Sequence, residues 1–269
     1  MGIKRRQQLI LDYLEGKGAC TYKELEELLK VSNMTVRRDI DRLALTENVI
    51  KTLGGAQKAN APASYYESSL LSRVSVHRDE KRTIAKKALE YIKTSESIYL
   101  GGGSTCLELA KLLAKTDRKL TVLTNSLLIS HEAGQSSNNN ILLVGGKFDP
   151  DTYCCAGSGS EKQVQDFFVD KAVISTKGFI PEEGTYESSI AISRIKQIVA
   201  TRSNEVVLLV DHSKFDLRAL FKVFDISQID TVITDSIERQ HLSVLEEAGL
   251  SVILTQQEVN EREVSNNAT

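Results

Sequence analysis

Two stretches of this chain combine residue types that can do chemistry. The first is Val31 to Leu43, VSNMTVRRDIDRL. Ser32 can act as a helix N-cap, and Val36, Ile40 and Leu43 recur at helical spacing on one apolar side. Met34, Thr35, Arg38 and Arg42 are left on the other side. An arginine fork can pair with a guanine edge or with phosphate oxygens, and Asn33 and Thr35 can reach a phosphate or a base. The second stretch is Gly101 to Thr105, GGGST, which follows the apolar run SIYL and precedes CLELAKLLA. A glycine turn between a strand and a helix presents backbone amides, two hydroxyls and a helix dipole to an anion. It lacks the lysine of a Walker motif and the G-x-G-x-x-G spacing.

An amphipathic surface helix with solvated arginines has the same composition as the first stretch. Its surroundings separate the two readings. Ile10, Tyr13 and Leu14 predict a first helix from about Lys4, and Thr21 with Glu24 forms a capping box that opens a second helix through Leu29. Lys30, Val31 and Ser32 are then a tight turn. Val49 to Leu53 followed by Gly54 and Gly55 reads as a strand and turn. The pattern is a winged helix-turn-helix in residues 1–58, its helix-turn-helix running from about Cys20 to Asp39. The DNA-contacting candidates are Ser32, Asn33, Thr35, Arg37, Arg38, Arg42 and Lys51. Arg38 lies opposite the apolar stripe and is expected in the groove; Arg37 sits on the flank and is expected at phosphate.

Charge supports this division. The whole chain is nearly neutral at −2, yet residues 1–58 carry 11 Lys and Arg against 8 Asp and Glu, leaving −5 for the rest. The cationic surface is where the helix motif is. A surplus of +3 is modest, so two copies on a two-fold operator are expected.

Residues 59–75 open with ANAPAS, small polar residues around Pro62, and read as a linker. Beyond it, apolar runs of strand length alternate with helical runs: SIYL, LTVLT, ILLVGG, KAVIST, VVLLV, TVITD and SVILT are the strands. This predicts a mainly parallel α/β sheet with helices on both faces, over residues 76–255. Residues 256–269 form a polar tail. In such a sheet Gly102, Gly103, Ser104 and Thr105, then Asn125, then Lys177 and Gly178, then Asp211 and Lys214 all arrive at the carboxyl edge of the strands. Lysines there can neutralise phosphate, and Asp or Asn can hold sugar hydroxyls. Together they predict a site for a phosphorylated sugar.

TVRRDIDRL, a wing ending in Gly54, Gly55 and Ala56, then HRDEK at His77 to Lys81, GGGST, TNS at Thr124 to Ser126, Gly145 and Gly146, and DHSKF at Asp211 to Phe215 occur in one order. In that order they resemble the DeoR family of bacterial transcriptional regulators, over about residues 3–255. Two departures stand out. Gly101 occupies the place of the family's usual acidic residue, and the wing carries Lys51 and Leu53 where Arg and His are common. The resemblance implies an effector domain of the ribose-5-phosphate isomerase and coenzyme A transferase-like fold. It also implies a sequence-specific DNA-binding regulator, a repressor of carbohydrate-metabolism genes relieved by a phosphorylated sugar, working as a homodimer or homotetramer on double-stranded operator DNA.

Other classes fit less well. A sugar-phosphate isomerase or coenzyme A transferase-like enzyme with a fused nucleic-acid module is the alternative, but only Glu187 and Asp211 are available carboxylates and no acidic cluster stands near Asp170. Asp211, His212 and Ser213 are consecutive and cannot form a triad. A constitutive architectural DNA-binding protein would need no ligand-type strand ends. Cys20, Cys106, Cys154 and Cys155 show no C-x-x-C spacing, so neither metal nor disulfide framework nor cofactor is expected. No window is a plausible membrane span, and the MGIKRRQQ start has no apolar core, so a cytoplasmic protein without membrane partners is expected.

Overall fold

The computed structural model describes residues 2–17, 19–46, 49–51, 55–58, 69–136 and 138–255. They form two compact units, Met1–Val76 and His77–Thr269. Most of the expected linker, the tip of the wing including Leu53 and Gly54, and the polar tail lie outside the described residues.

The first unit runs α1 (Ile3–Lys17), β1 (Ala19–Thr21), α2 (Tyr22–Leu29), α3 (Asn33–Thr46), β2 (Val49–Lys51) and β3 (Gly55–Lys58). Each boundary has a local cause. Thr21 and Glu24 form the capping box at the start of α2, and Lys30 ends that helix in a left-handed conformation at φ 51°. At the start of α3 the Ser32 carbonyl accepts from the amides of Thr35 and Val36. Ile10, Leu14, Leu25, Leu29, Val36, Ile40 and Leu43 fill the core. The wing is a three-stranded antiparallel sheet in the order β1-β3-β2. The sequence pattern missed β1, whose three residues are too short to show alternation. A short helix α4 (Leu70–Val74) follows.

The second unit contains α5 (Arg78–Tyr91), β4 (Ser97–Leu100), α6 (Ser104–Leu113), β5 (Thr121–Thr124), α7 (Leu127–Ala133) and β6 (Asn140–Leu143). A hairpin of β7 (Lys147–Asp149) and β8 (Cys154–Ala156) leads to α8 (Ser158–Gln165) and β9 (Val169–Ser175). Then come β10 (Gly178–Ile180), β11 (Gly184–Glu187), α9 (Ile190–Ala200), β12 (Ser203–Val210), β13 (Phe221–Asp225), β14 (Thr231–Thr234), α10 (Arg239–Glu247) and β15 (Ser251–Leu254).

Seven strands form one sheet in the order β15-β14-β12-β9-β4-β5-β6. Every pair in it is parallel. The chain steps outward from β4 to β6, then returns beside β4 as β9 and steps the other way. The order reverses between β4 and β9, and in a parallel sheet whose crossovers keep the usual right hand such a reversal opens a crevice at the carboxyl edge. Successive residues of the central strands are accordingly buried on both sides, as in Ala172, Val173 and Ile174 or Val206 to Val210. The small sheet β10-β11-β13 and the β7-β8 hairpin are antiparallel additions.

Candidate functional site

On α3 the apolar stripe is buried as its spacing demands, with Val36 and Ile40 at 0% exposure and Leu43 at 3%. Asp39 is buried too, because Arg6 of α1 reaches it at 2.6 Å and so ties α1 to α3. The polar face is arranged rather than merely solvated. Asn33 donates to Glu26 and accepts from Arg37 Nε at 2.7 Å, and the Arg37 guanidinium lies 4.5 Å above the Tyr22 ring. Ser32 and Thr35 pair through their hydroxyls at 3.0 Å. Lys51 of the wing pairs with Asp41, and Arg42 stands 3.9 Å from Asp39. Arg37 and Arg38 are exposed. Thus Arg37 is braced from two sides on the flank, while Arg38 projects from the middle of the outward face.

In the second unit the parallel topology brings the four groups of strand-end residues to one edge. Loop 101–103 follows β4, and close approach requires glycine at its second and third positions. A Cβ on Gly102 would lie 2.0 Å from Cys154 Sγ, and one on Gly103 2.0 Å from Ser175 Oγ. A Cβ on Gly101 would make ordinary contacts, with Ile174 at 3.4 Å and with the Tyr99 ring at 3.6 Å. Packing against a Cβ therefore does not impose glycine at that position. Gly103 begins α6 with no side-chain cap. The amides of Ser104, Thr105 and Cys106 in the first turn therefore face the crevice edge with the dipole behind them. Beneath them burial pushes the Cys106 thiol up to about 11, so it is inert at neutral pH.

Asn125 is 2% exposed. Its carboxamide accepts from the Tyr99 hydroxyl at 2.8 Å and donates to the Cys155 carbonyl at 2.8 Å. These bonds tie the β5 end to Tyr99 of β4 and to the β7-β8 hairpin. After β9, Lys177 donates to Ser188, and Gly178 is pressed against the Leu217 carbonyl, 2.2 Å from where a Cβ would sit.

Asp211 directly follows β12 and is 1% exposed. Its Oδ1 caps the following turn by accepting from the Ser213 amide at 3.1 Å and from the Ser213 hydroxyl. Its Oδ2 is buried and has no hydrogen-bond partner among the described residues. Burial opposes ionisation, but Lys214, the Ser213 bond, Lys81 and His77 outweigh it and hold the carboxyl below its ordinary range. Lys214 Nζ lies 3.1 Å from Ser213 Oγ.

Lys81 was not among the expected site residues. It comes from the first turns of α5 and is 2% exposed. Its signal was legible: Lys81, Ile84 and Ala88 occupy one helical face, so a cation stands on the buried stripe. Two imidazoles line the same corner. His77 meets His212 edge to face at 5.0 Å between ring centres, and His212 Nδ1 lies 2.6 Å from Asp235 Oδ2. The corner therefore holds a buried, half-satisfied carboxylate among cations, on the same carboxyl edge as the bare start of α6. Such an arrangement can take an anionic group at the amides and lysines and hydroxyls at the carboxylate. The described residues include no group of three or more His, Cys, Asp or Glu side chains able to hold a metal ion, and no helix long and apolar enough to cross a membrane.

Comparison with known proteins agrees with both halves. The lactose phosphotransferase system repressor of Lactococcus lactis is 34% identical over 249 residues, covering 90% of this chain and 95% of that protein. The transcriptional regulator GolR of Listeria innocua is 30% identical over 248 residues, 92% of this chain and 96% of that one. Ribose 5-phosphate isomerase A of Methanocaldococcus jannaschii superposes with a TM-score of 0.40 and 20% identity, over 52% of this chain and 55% of its own; nothing about activity follows at that distance. A DeoR-like helix-turn-helix domain matches residues 6–61 and a DeoR C-terminal sensor domain matches residues 76–236. The chain belongs to the DeoR family, whose members here are DNA-binding transcriptional regulators and not enzymes.

Proposed function

We propose that the protein is a cytoplasmic repressor of carbohydrate-use genes that releases its operator when a phosphorylated sugar binds the carboxyl edge of the second unit. The observation that carries this is Asp211, whose buried Oδ2 accepts no hydrogen bond among the described residues while the charges of Lys214 and Lys81 act on it. An unsatisfied buried carboxylate costs stability, and a ligand hydroxyl would satisfy it. The phosphate would sit on the Gly102 to Thr105 turn, with the lysines Lys177, Lys214 and Lys81 supplying countercharge. The name of the Lactococcus relative, a lactose phosphotransferase system repressor, agrees with a carbohydrate signal.

Release follows from linkage. A ligand shifts the operator-competent arrangement only by its differential affinity for two states, typically about 1 to 3 kcal/mol of coupling. The small positive charge of one DNA-binding unit favours a homodimer or homotetramer assembled through the second unit. Thermal stabilisation across a panel of triose, pentose and hexose phosphates, each beside its unphosphorylated parent, tests the ligand class. At 100 times its dissociation constant a true effector adds about 2.7 kcal/mol. Stabilisation by the parents alone, or by no compound, rejects the reading. Light scattering tests assembly: a monomer at micromolar concentration with and without DNA rejects it.

A further inference from the structure

Most of the outward face of α3 is already engaged within its own unit. Asn33 is held by Glu26 and Arg37, Arg37 by Tyr22, Thr35 by Ser32, and Arg42 lies near Asp39. Two side chains stand apart from these contacts. Among the described residues no hydrogen bond or ion pair holds Arg38, and Met34 is 63% exposed, above every other large apolar side chain on the described surface. Met34 is the second residue of α3 and lies one turn before Arg38, so the two side chains share one strip of the helix.

In a helix-turn-helix the first residues of the second helix reach the base edges of the major groove. That groove offers hydrogen-bonding groups and a single kind of apolar group, the 5-methyl of thymine. A long, unbranched thioether is suited to cover such a methyl, because it has several rotatable bonds and no polar atom to satisfy. We infer that Met34 reads a thymine methyl in each operator half-site, beside the base pair that Arg38 addresses. This rests on the DNA-binding role that family membership establishes and is independent of the effector site.

The test uses duplexes recovered by the full-length protein from a random pool, with each thymine then replaced singly by deoxyuridine, which deletes the methyl and nothing else. Burying one methyl is worth a factor of about three to five in affinity. The wild-type protein should lose about that factor at one thymine per half-site. Met34→Ala should bind the parent duplex more weakly by a similar factor and should no longer distinguish thymine from uracil there. Met34 is exposed, so this variant keeps its fold, and the uracil scan on the wild type stands without it. The inference is overturned if no single methyl matters to the wild type. It is equally overturned if Met34→Ala retains the full discrimination, or weakens binding to thymine and uracil duplexes alike.

Discussion

The two edges of the seven-stranded sheet both carry buried charge, and they treat it in opposite ways. At the amino edge Lys171 reaches Glu96 at 2.6 Å and Glu205 at 3.6 Å. Glu205 also accepts from Tyr91 at 2.6 Å and Thr231 at 2.9 Å, and Asp170 accepts from the Ser97 amide and hydroxyl at 2.8 and 2.7 Å. Every member is satisfied from within. At the carboxyl edge Asp211 keeps a buried oxygen without a partner among the described residues, and a helix start stands uncapped. One helix joins the contrast, since α5 sends Lys81 to the carboxyl edge and Tyr91 to the amino edge. The satisfied network holds the fold, whereas the unsatisfied one is where we propose that the effector binds.

Breaking the amino edge should have the largest effect. Lys171→Met leaves Glu96 and Glu205 facing each other without a cation, which should cost about 3 to 5 kcal/mol. Melting temperature should fall by roughly 6 to 20 °C, while folded protein at low temperature still responds to effector. If Lys171→Met melts like wild type, the two edges do not differ as described.

At the carboxyl edge the same kind of change should cost less. Lys214→Ala is expected to lower stability by about 1 kcal/mol or less, since the Ser213 bond and Lys81 still act on Asp211. Calorimetry should instead show effector affinity reduced about tenfold to a hundredfold, the loss of one charge-assisted contact. A control belonging to neither edge is Arg38→Ala, which should cost about 1 to 3 kcal/mol of specific DNA binding if Arg38 reads a base. Its effector titration should match wild type, and a changed titration would tie the recognition helix to the ligand site.

The smallest effect is a pH dependence. Asp211 and Asp170 both titrate below the ordinary carboxyl range in the folded chain, Asp211 against burial through its lysines and Asp170 through Ser97. A depressed folded pKa contributes stability above the unfolded value, near about 3.9, that is lost as pH falls through the folded value. Melting temperature should therefore decline on acidification below about pH 4. Asp211→Asn should flatten part of that decline, and an unchanged acid limb would show that Asp211 ionisation does not stabilise the fold.

Much of this contrast was legible in the residues, and the remainder depended on distant pairing. The capping box at Thr21, the stripe on α3 and the seven apolar strands follow from local periodicity, and parallel topology then carries Gly102, Asp211 and Lys214 to one edge. The spacing could not reveal that the Asn125 carboxamide would be used by Tyr99 and Cys155, because those partners belong to other strands. The β10-β11-β13 sheet escaped for the same reason: strands of three to five residues around Gly178 and Gly184 find their partner at Phe221–Asp225. Lys81 and Asp39 were visible as charges on apolar stripes, yet only the fold shows that the first joins Asp211 and the second Arg6.

The most direct test combines operator duplex, effector and Lys214→Ala in one titration. With duplex selected by the protein itself, a sugar phosphate found by thermal stabilisation should release the wild type, and its unphosphorylated parent should not. Lys214→Ala should bind the duplex as tightly as wild type and stay bound at effector concentrations that release the wild type. Release of Lys214→Ala at the wild-type concentration, or release of the wild type by the unphosphorylated sugar, would contradict a phosphate-dependent switch at the carboxyl edge.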